Sequence, residues 1–84
     1  MVRMIDAPIE VSEDGAGRPR EFYYRGRRRH VLRIVEDWLE TGEWWKEGLG
    51  ALPERRVYRL FTEEGLLCEI YSAGGRWFLY RTYD

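Results

Sequence analysis

The fold is decided by residues 56–83, which run RVYRLFTEEGLLCEIYSAGGRWFLYRTY. This stretch is rich in β-branched and aromatic residues, which are favoured in strands. Gly65 and the pair Gly74-Gly75 interrupt it with residues that favour tight hairpin turns. The sequence therefore predicts a three-stranded antiparallel meander, whose strands cover 56–62, 66–71 and 76–83.

Strand and turn signals also alternate in the first part of the chain. Apolar and polar residues alternate in 8–13, the period-two pattern of a half-buried strand. Two glycines and a proline follow within 14–19 and predict a turn, after which 21–25 is expected to pair back as a second strand. Gly26 predicts the next turn.

Residues 30–41 are compatible with two secondary structures. Their apolar side chains at 31, 34, 35 and 38 have the spacing of an amphipathic helix. Most of these residues are β-branched, however, and the arginines at 27–29 would place positive charge at the positive end of a helix. We therefore predict a strand to about residue 36, followed by one helical turn or loop at 37–42.

Six short strands joined by turns predict an all-β fold, a small antiparallel meander that curls into an SH3-like barrel or a sandwich. Residues 1–84 are expected to form a single domain, because a chain of this length buries only about two-thirds of its unfolded surface and has room for one core. Residues 1–7, which precede the first predicted strand, are expected to be a flexible N-terminus.

The sequence carries no signal for membrane insertion or export. No run approaches the roughly twenty apolar residues that a membrane span needs, and the chain does not start with the apolar region of a signal peptide. The single cysteine, Cys68, has no partner for an internal disulfide and is expected to be a buried structural thiol. The protein is therefore predicted to be cytoplasmic and not to bind a membrane.

The residue types that catalysis requires do not form a motif. One histidine, His30, and two serines, Ser12 and Ser72, do not predict a catalytic triad. A structural zinc site takes four Cys or His ligands, and only His30 and Cys68 are present. Gly48-Leu49-Gly50 lacks the third glycine and the Lys-Ser/Thr pair of a phosphate-binding loop. We expect a protein that is not an enzyme and that holds no cofactor or metal.

The net charge of −1 conceals two adjacent blocks of opposite charge. Residues 18–33 hold seven arginines against Glu21, a charge of +6, and residues 36–54 hold six carboxylates against Lys46, a charge of −5. Two arrangements are open: the blocks pair within the fold, or they pair across a subunit contact.

Within the basic block, aromatic residues on a predicted strand are followed by clustered arginines. This arrangement is typical of single-stranded nucleic-acid binding, in which bases stack on aromatic rings and guanidinium groups neutralise phosphates. Against it, alternate aromatics must point inward to build so small a core, and the acidic block can neutralise the arginines. The candidate nucleic-acid-binding residues are Tyr23, Tyr24, Arg25, Arg27, Arg28 and Arg29.

Trp44-Trp45 is a second candidate feature. Adjacent residues on a strand face opposite ways, so at most one of this pair lies in the core if the pair is on a strand. An exposed tryptophan is a common hot spot in protein interfaces, whereas the alternative is that the loop at 47–54 folds over it. The candidate partner-binding residues are Trp44, Trp45 and Trp77.

Several motifs resemble those of a bacterial family of unknown function. They are Pro8-Ile9-Glu10-Val11, Gly17-Arg18-Pro19, Arg25-Gly26-Arg27, Trp38, Trp44-Trp45, Tyr58-Arg59 and the ending Gly75-Arg76-Trp77-Phe78-Leu79-Tyr80 to Tyr83-Asp84. That family occurs as short stand-alone proteins and is similar to the C-terminal segment of ImuB-type proteins, catalytically inactive relatives of Y-family translesion DNA polymerases. The resemblance carries over no catalytic residue, and it implies a link to lesion bypass through docking to separate proteins.

Two functions from different classes follow. The first is a non-enzymatic interaction module, accessory to DNA repair or translesion synthesis, that binds a protein partner or forms a homodimer. The second is a single-stranded nucleic-acid-binding domain that uses the Arg-rich hairpin and an aromatic face.

Overall fold

The computed structural model describes residues 2–41 and 54–83, and this part of the chain consists of six strands and their turns. The strands are β1 (Val2–Glu13), β2 (Pro19–Tyr24), β3 (Arg27–Thr41), β4 (Glu54–Thr62), β5 (Leu67–Ala73) and β6 (Arg76–Tyr83). Each strand pairs antiparallel with the next, and β6 pairs with β1, so the sheet closes into a barrel. The predicted all-β, six-stranded antiparallel meander is confirmed. No membrane-spanning helix occurs in the described residues.

β1 and β3 each take part in two sections of the barrel wall. Residues 2–9 of β1 pair with β6, and residues 10–13 pair with β2. Residues 27–30 of β3 pair with β2, and residues 31–41 pair with β4. Because β2 has six residues, it covers only the end of β1 and the start of β3.

β3 remains a strand up to Thr41, so the helical turn or loop predicted at 37–42 is wrong within the described residues. The pairing with β4 continues through Thr41, which lies opposite Glu54. Residue 42 lies outside the described part of the chain.

Two β-bulges account for the helix-like spacing of apolar residues in β3. The register with β4 shifts between Val31 and Arg33 and again between Ile34 and Glu36, so one extra residue is inserted at each place. Val31 and Ile34 consequently both pack against the same core although they are three residues apart. A spacing of three is typical of helices, but here an inserted strand residue produces it.

β1 begins at Val2, so residues 2–7, predicted as part of a flexible N-terminus, are instead paired in the sheet. A register irregularity between Met4 and Ala7 places Asp6 at a positive φ of 53°. Asp6 accepts a 2.8 Å hydrogen bond at Oδ1 from the hydroxyl of Tyr71 on β5. This side-chain contact joins the N-terminal half of β1 to the rest of the barrel.

The interior of the barrel is one apolar cluster. Its buried members are Phe22, Tyr58, Leu60, Cys68, Ile70 and Leu79. Burial raises the pKa of the Cys68 thiol to about 12, more than the nearby Arg29 guanidinium lowers it. The thiolate that nucleophilic chemistry requires is therefore suppressed, in agreement with the expected buried structural thiol.

A second apolar cluster lies on the other face of β4 and β5. Val57, Tyr71 and Ala73 are buried there, with Trp38, Phe78 and Tyr80 packed against them. The Tyr71 ring stacks on Phe78 at 5.0 Å between centroids and meets Tyr80 edge-on at 5.6 Å. The sheet is therefore apolar on both faces at this position, with aromatic rings supplying most of the outer layer.

Two hairpins use two-residue turns with positive φ at both positions, as in type I′ turns. Arg25 and Gly26 have φ of 54° and 75° between β2 and β3, and Gly74 and Gly75 have φ of 59° and 81° between β5 and β6. Glycine adopts this conformation without steric cost, whereas arginine does not. Arg25 is therefore held in a strained conformation at the tip of the basic hairpin.

Titration of Tyr71 should make the fold sensitive to alkaline pH. Burial, followed by the hydrogen bond to the Asp6 carboxylate, raises the pKa of Tyr71 to about 12 from an ordinary value of 10.0. The neutral phenol therefore stabilises the folded state fully below pH 10, and this contribution, up to about 3 kcal/mol, is lost as the pH rises towards 12.

Tyr71→Phe should reduce the fall in unfolding free energy between pH 9 and 12, measured by urea denaturation at each pH. Leu32→Ala is the control, because Leu32 is exposed and carries no titratable group, so the slope should stay unchanged. Equal slopes in wild type and Tyr71→Phe would contradict this account of the Tyr71–Asp6 contact.

Candidate nucleic-acid interface

The carboxylates of β3 pair with the arginines of β4. Arg55 contacts Glu40 at 2.7 Å and Arg59 contacts Glu36 at 3.2 Å, and both are direct cross-strand pairs in the register. Arg56 reaches Asp37 at 3.3 Å. The three β3 carboxylates of the acidic block are therefore paired with arginines of β4 and not with the arginines of the β2–β3 hairpin.

The pairing continues across the sheet as a row of alternating charge. Glu69 on β5 lies opposite Arg59, with Arg59 Nη2 at 2.9 Å, and opposite Arg81 on β6. Glu69 Oε2 also accepts a 2.7 Å hydrogen bond from the Tyr83 hydroxyl. Arg81 Nε lies 3.1 Å from Glu69 Oε1 without hydrogen-bond geometry. Glu69, at 1% exposure, is thus held by two guanidinium groups and a phenol.

Glu40 belongs to a neighbouring network on the same side of the sheet. Burial alone would raise its pKa, but hydrogen bonds from Trp38 at 3.0 Å and Arg55 at 2.8 Å outweigh it and lower the pKa below the ordinary value. Arg55 also lies 4.6 Å from the ring centroids of Tyr71 and Tyr80. These contacts are structural, because every charged group is engaged by another side chain of the sheet.

The six candidate nucleic-acid-binding residues are divided between two faces of the β2–β3 hairpin. The pair Tyr23 and Arg28 lies on the face opposite to Phe22, which is buried in the core. Arg28 Nε donates a 2.8 Å hydrogen bond to the Tyr23 hydroxyl, and its guanidinium carbon lies 5.4 Å from the ring centroid. Tyr23 is 37% exposed, so this face presents an aromatic ring with a cation fixed beside it.

The remaining residues of the hairpin line a cavity on its inner face, where Arg25 and Arg27 are exposed to solvent. Tyr24 pairs with Arg27, and Phe22 pairs with Arg29, so the four side chains alternate with Tyr23 and Arg28. Arg25, at the turn, lies with its guanidinium carbon 5.3 Å from the Tyr24 ring centroid. The cavity measures about 420 Å³ and is lined by Arg3, Ile5, Phe22, Tyr24, Arg25, Arg27, Arg29, Leu66, Leu79 and Thr82.

Glu64, in the β4–β5 turn, is the described carboxylate that pairs with these arginines. Its Oε1 lies 3.0 Å from Arg29 Nη1, and its Oε2 lies 3.8 Å from Arg27 Nη2. The three hairpin arginines of the lining, Arg25, Arg27 and Arg29, against the Glu64 carboxylate give the hairpin side of the cavity a charge of +2. The cavity is therefore a cationic site with an apolar floor.

Of the three tryptophans predicted to bind a partner, Trp77 lies in the described part of the chain. Trp44 and Trp45 lie outside the described residues. Trp77 is half-buried: its indole N–H donates a 3.1 Å hydrogen bond to Glu13 Oε2, and its ring centroid lies 5.7 Å from that of Tyr58. Trp77 therefore packs against the core and anchors the end of β1.

Sequence reasoning missed two residues of the cationic site, Arg3 and Glu64. Arg3 falls in the predicted flexible N-terminus, and Glu64 precedes Gly65 in a turn that the sequence predicts only as a connection between strands. Pairing of β1 with β6 brings Arg3 to the cavity, and the contact of Glu64 with Arg29 spans 35 residues of chain. Neither placement follows from a local pattern.

Fold and site together define a small all-β barrel whose β2–β3 hairpin carries the cationic surface. The chain belongs to the family described as a domain of unknown function, DUF6504, which matches residues 1–84. No curated protein and no solved structure is significantly similar to it. Among the described residues, no three His, Cys, Asp or Glu side chains are grouped closely enough to hold a metal ion.

The charge row through Glu69 should contribute measurably to stability. Glu69→Gln removes the charge that two arginines share, and we expect a cost of about 2 kcal/mol in unfolding free energy. This is below the roughly 3 to 5 kcal/mol for breaking a fully buried pair, because the arginines stay partly hydrated. Urea denaturation at neutral pH measures the change.

Glu36→Gln is the control, because Glu36 is an exposed member of the same row and should cost less than about 1 kcal/mol. Equal costs for the two variants would show that burial of Glu69 does not decide its contribution.

Proposed function

We propose that the chain is a non-enzymatic binding module for single-stranded nucleic acid, contacted through the β2–β3 hairpin. One observation carries the proposal: the described carboxylates of β3 are engaged by β4, so they do not compete with a ligand for the hairpin arginines, of which Arg27 and Arg29 share the single carboxylate of Glu64. The sequence left open that the acidic block neutralises the hairpin arginines, which would argue against this function. The β3 carboxylates of that block pair instead with arginines of β4.

The outer face of the hairpin has the two groups that single-strand binding uses. The exposed Tyr23 ring offers a surface on which a base can stack, and Arg28 lies beside it with a guanidinium that can contact the adjacent phosphate. The hydrogen bond between the two side chains orients them before a ligand arrives, which reduces the entropy lost on binding.

The family resemblance supports a biological setting for this activity. The likeness to the C-terminal segment of ImuB-type proteins favours a role as an accessory of DNA repair or translesion synthesis. In that role the module would hold single-stranded DNA while separate proteins carry out synthesis, and it would work in the cytoplasm.

Single-strand binding should depend on salt and on the outer hairpin face. We expect Arg28→Gln to reduce the slope of log affinity against log salt by about 0.7, the value for one lost contact with a single-strand phosphate. Tyr23→Ala should weaken binding by about 1 to 3 kcal/mol through lost stacking. Fluorescence anisotropy with a deoxythymidine oligonucleotide measures both effects.

Arg76→Gln is the matched control, since Arg76 is an exposed arginine at the β5–β6 turn and its loss should leave the salt slope unchanged. The proposal should be abandoned if the wild type does not bind at low salt, or if all three variants bind as the wild type does.

A second candidate, a homodimer or a complex with a protein partner, is favoured by the exposed apolar side chains of β3. Leu32, Val35 and Leu39 are 62%, 42% and 48% exposed. Within the described residues, positions 31–41 pair on one edge only, with β4. A strand segment with one unpaired edge and exposed apolar side chains is suited to pairing with another strand.

If β3 mediates a homodimer, Leu39→Lys should shift the protein from dimer to monomer in analytical ultracentrifugation. Met4→Lys is the control, because Met4 is also an exposed apolar residue but lies on β1. A wild type that sediments as a monomer at every concentration would contradict the dimer.

A further inference from the structure

We propose that the cationic cavity is a distinct subsite that holds one terminal nucleotide, with its phosphate monoester on the arginines and its base against the apolar floor. The inference rests on the proposed single-strand binding and adds to it a preference for a phosphorylated end. It uses the inner face of the hairpin, whereas the stacking contact described above uses the outer face.

The size and lining of the cavity suit a ligand that is both apolar and strongly anionic. Its volume of about 420 Å³ is within the range of roughly 300 to 1,000 Å³ for small-molecule sites. The half-buried Ile5 and Leu66 form an apolar floor, and the half-buried Tyr24 supplies an aromatic ring at the wall. A base fits such a floor, whereas inorganic phosphate would leave it uncovered.

The charge of the cavity favours a terminal phosphate over an internal one. A phosphate monoester carries a charge of about −1.5 to −2 at pH 7, whereas an internal phosphodiester carries −1. The hairpin brings three guanidinium groups to the site, two of which, those of Arg27 and Arg29, share the Glu64 carboxylate. Guanidinium groups bind phosphate through paired N–H donors, so several converging arginines select the more highly charged group.

Glu64 would compete with the phosphate for the arginines of the cavity. Its carboxylate oxygens lie 3.0 Å from Arg29 and 3.8 Å from Arg27. These contacts use the same guanidinium donors that a phosphate would use. Arg25 has no carboxylate partner in the described part of the chain and stacks beside Tyr24. Phosphate would therefore displace Glu64 from two arginines and add Arg25 as a third.

Binding should distinguish the ends of otherwise identical strands. Three internally labelled deoxythymidine oligonucleotides, with a 5′ phosphate, a 3′ phosphate or two hydroxyl ends, are compared by anisotropy. We expect one phosphorylated form to bind about tenfold more tightly than the hydroxyl form, the effect of one charge-assisted contact. Deoxythymidine monophosphate competing with that form would identify free nucleotide as a further ligand of the same subsite.

Substitutions in the cavity should move this preference in opposite directions. Arg25→Gln and Arg27→Gln should abolish the preference for the phosphorylated end, while Glu64→Gln should strengthen it severalfold because it releases Arg27 and Arg29. Arg76→Gln should change nothing. Thermal unfolding of each variant checks the fold, and the Glu64 variant tests the site through a gain that misfolding does not produce.

Equal affinity for all three strands, or a preference that survives Arg25→Gln and Arg27→Gln, would overturn the subsite. If strands bind equally and binding still depends on Tyr23 and Arg28, the subsite fails and the proposed function stands. If no strand binds but the monophosphate does, the proposed function fails and the cavity is a nucleotide site in its own right.

Discussion

The cross-strand pairing of β3 carboxylates with β4 arginines is the constraint on which the surface of this barrel depends. Glu36 and Glu40 lie directly opposite Arg59 and Arg55, and the shared register continues the charge row through Glu69 to Arg81. A shift of β3 by one residue would move these carboxylates to the other face of the sheet. The ion pairs and the apolar faces of the strands therefore favour the same register.

This pairing also divides the arginines of the chain into two groups. One group forms ion pairs within the sheet, where carboxylates and aromatic rings surround the guanidinium groups; it consists of Arg55, Arg59 and Arg81. The hairpin arginines lie at the other section of the wall, formed by β2 and the first residues of β3, and have Glu64 as a described partner. A net charge near zero thus conceals a cationic surface, because the compensating acids are located elsewhere.

Local patterns were sufficient to predict most of the strands. The glycine pairs and single glycines at the hairpins, such as Gly26 and Gly74-Gly75, have the positive φ that their turns require. Alternate aromatic residues of β2, Phe22 and Tyr24, lie on the inner face, as the small core requires. β3 was harder, because its two bulges produce a spacing that imitates a helix. Bulges depend on the opposing strand, which a local pattern does not contain.

The candidate site was predictable in composition but not in arrangement. The sequence shows that arginines are clustered beside aromatic residues, but the strand alternation places Tyr23 and Arg28 on one face and Tyr24, Arg27 and Arg29 on the other. Arg3 and Glu64 join the second group only through pairings that are distant in the chain. Such contacts are set by the closure of the barrel and have no signature in residue spacing.

The central claim, that the β2–β3 hairpin is the binding surface because β4 neutralises the acidic strand, is tested most directly by NMR. Amide chemical shifts of the labelled protein are followed as a single-stranded oligonucleotide is added at low salt. The account predicts that the largest changes occur at residues 23–29, with residues 36–40 and 55–59 nearly unaffected. Changes concentrated at 36–40 and 55–59, or no changes anywhere, would contradict it.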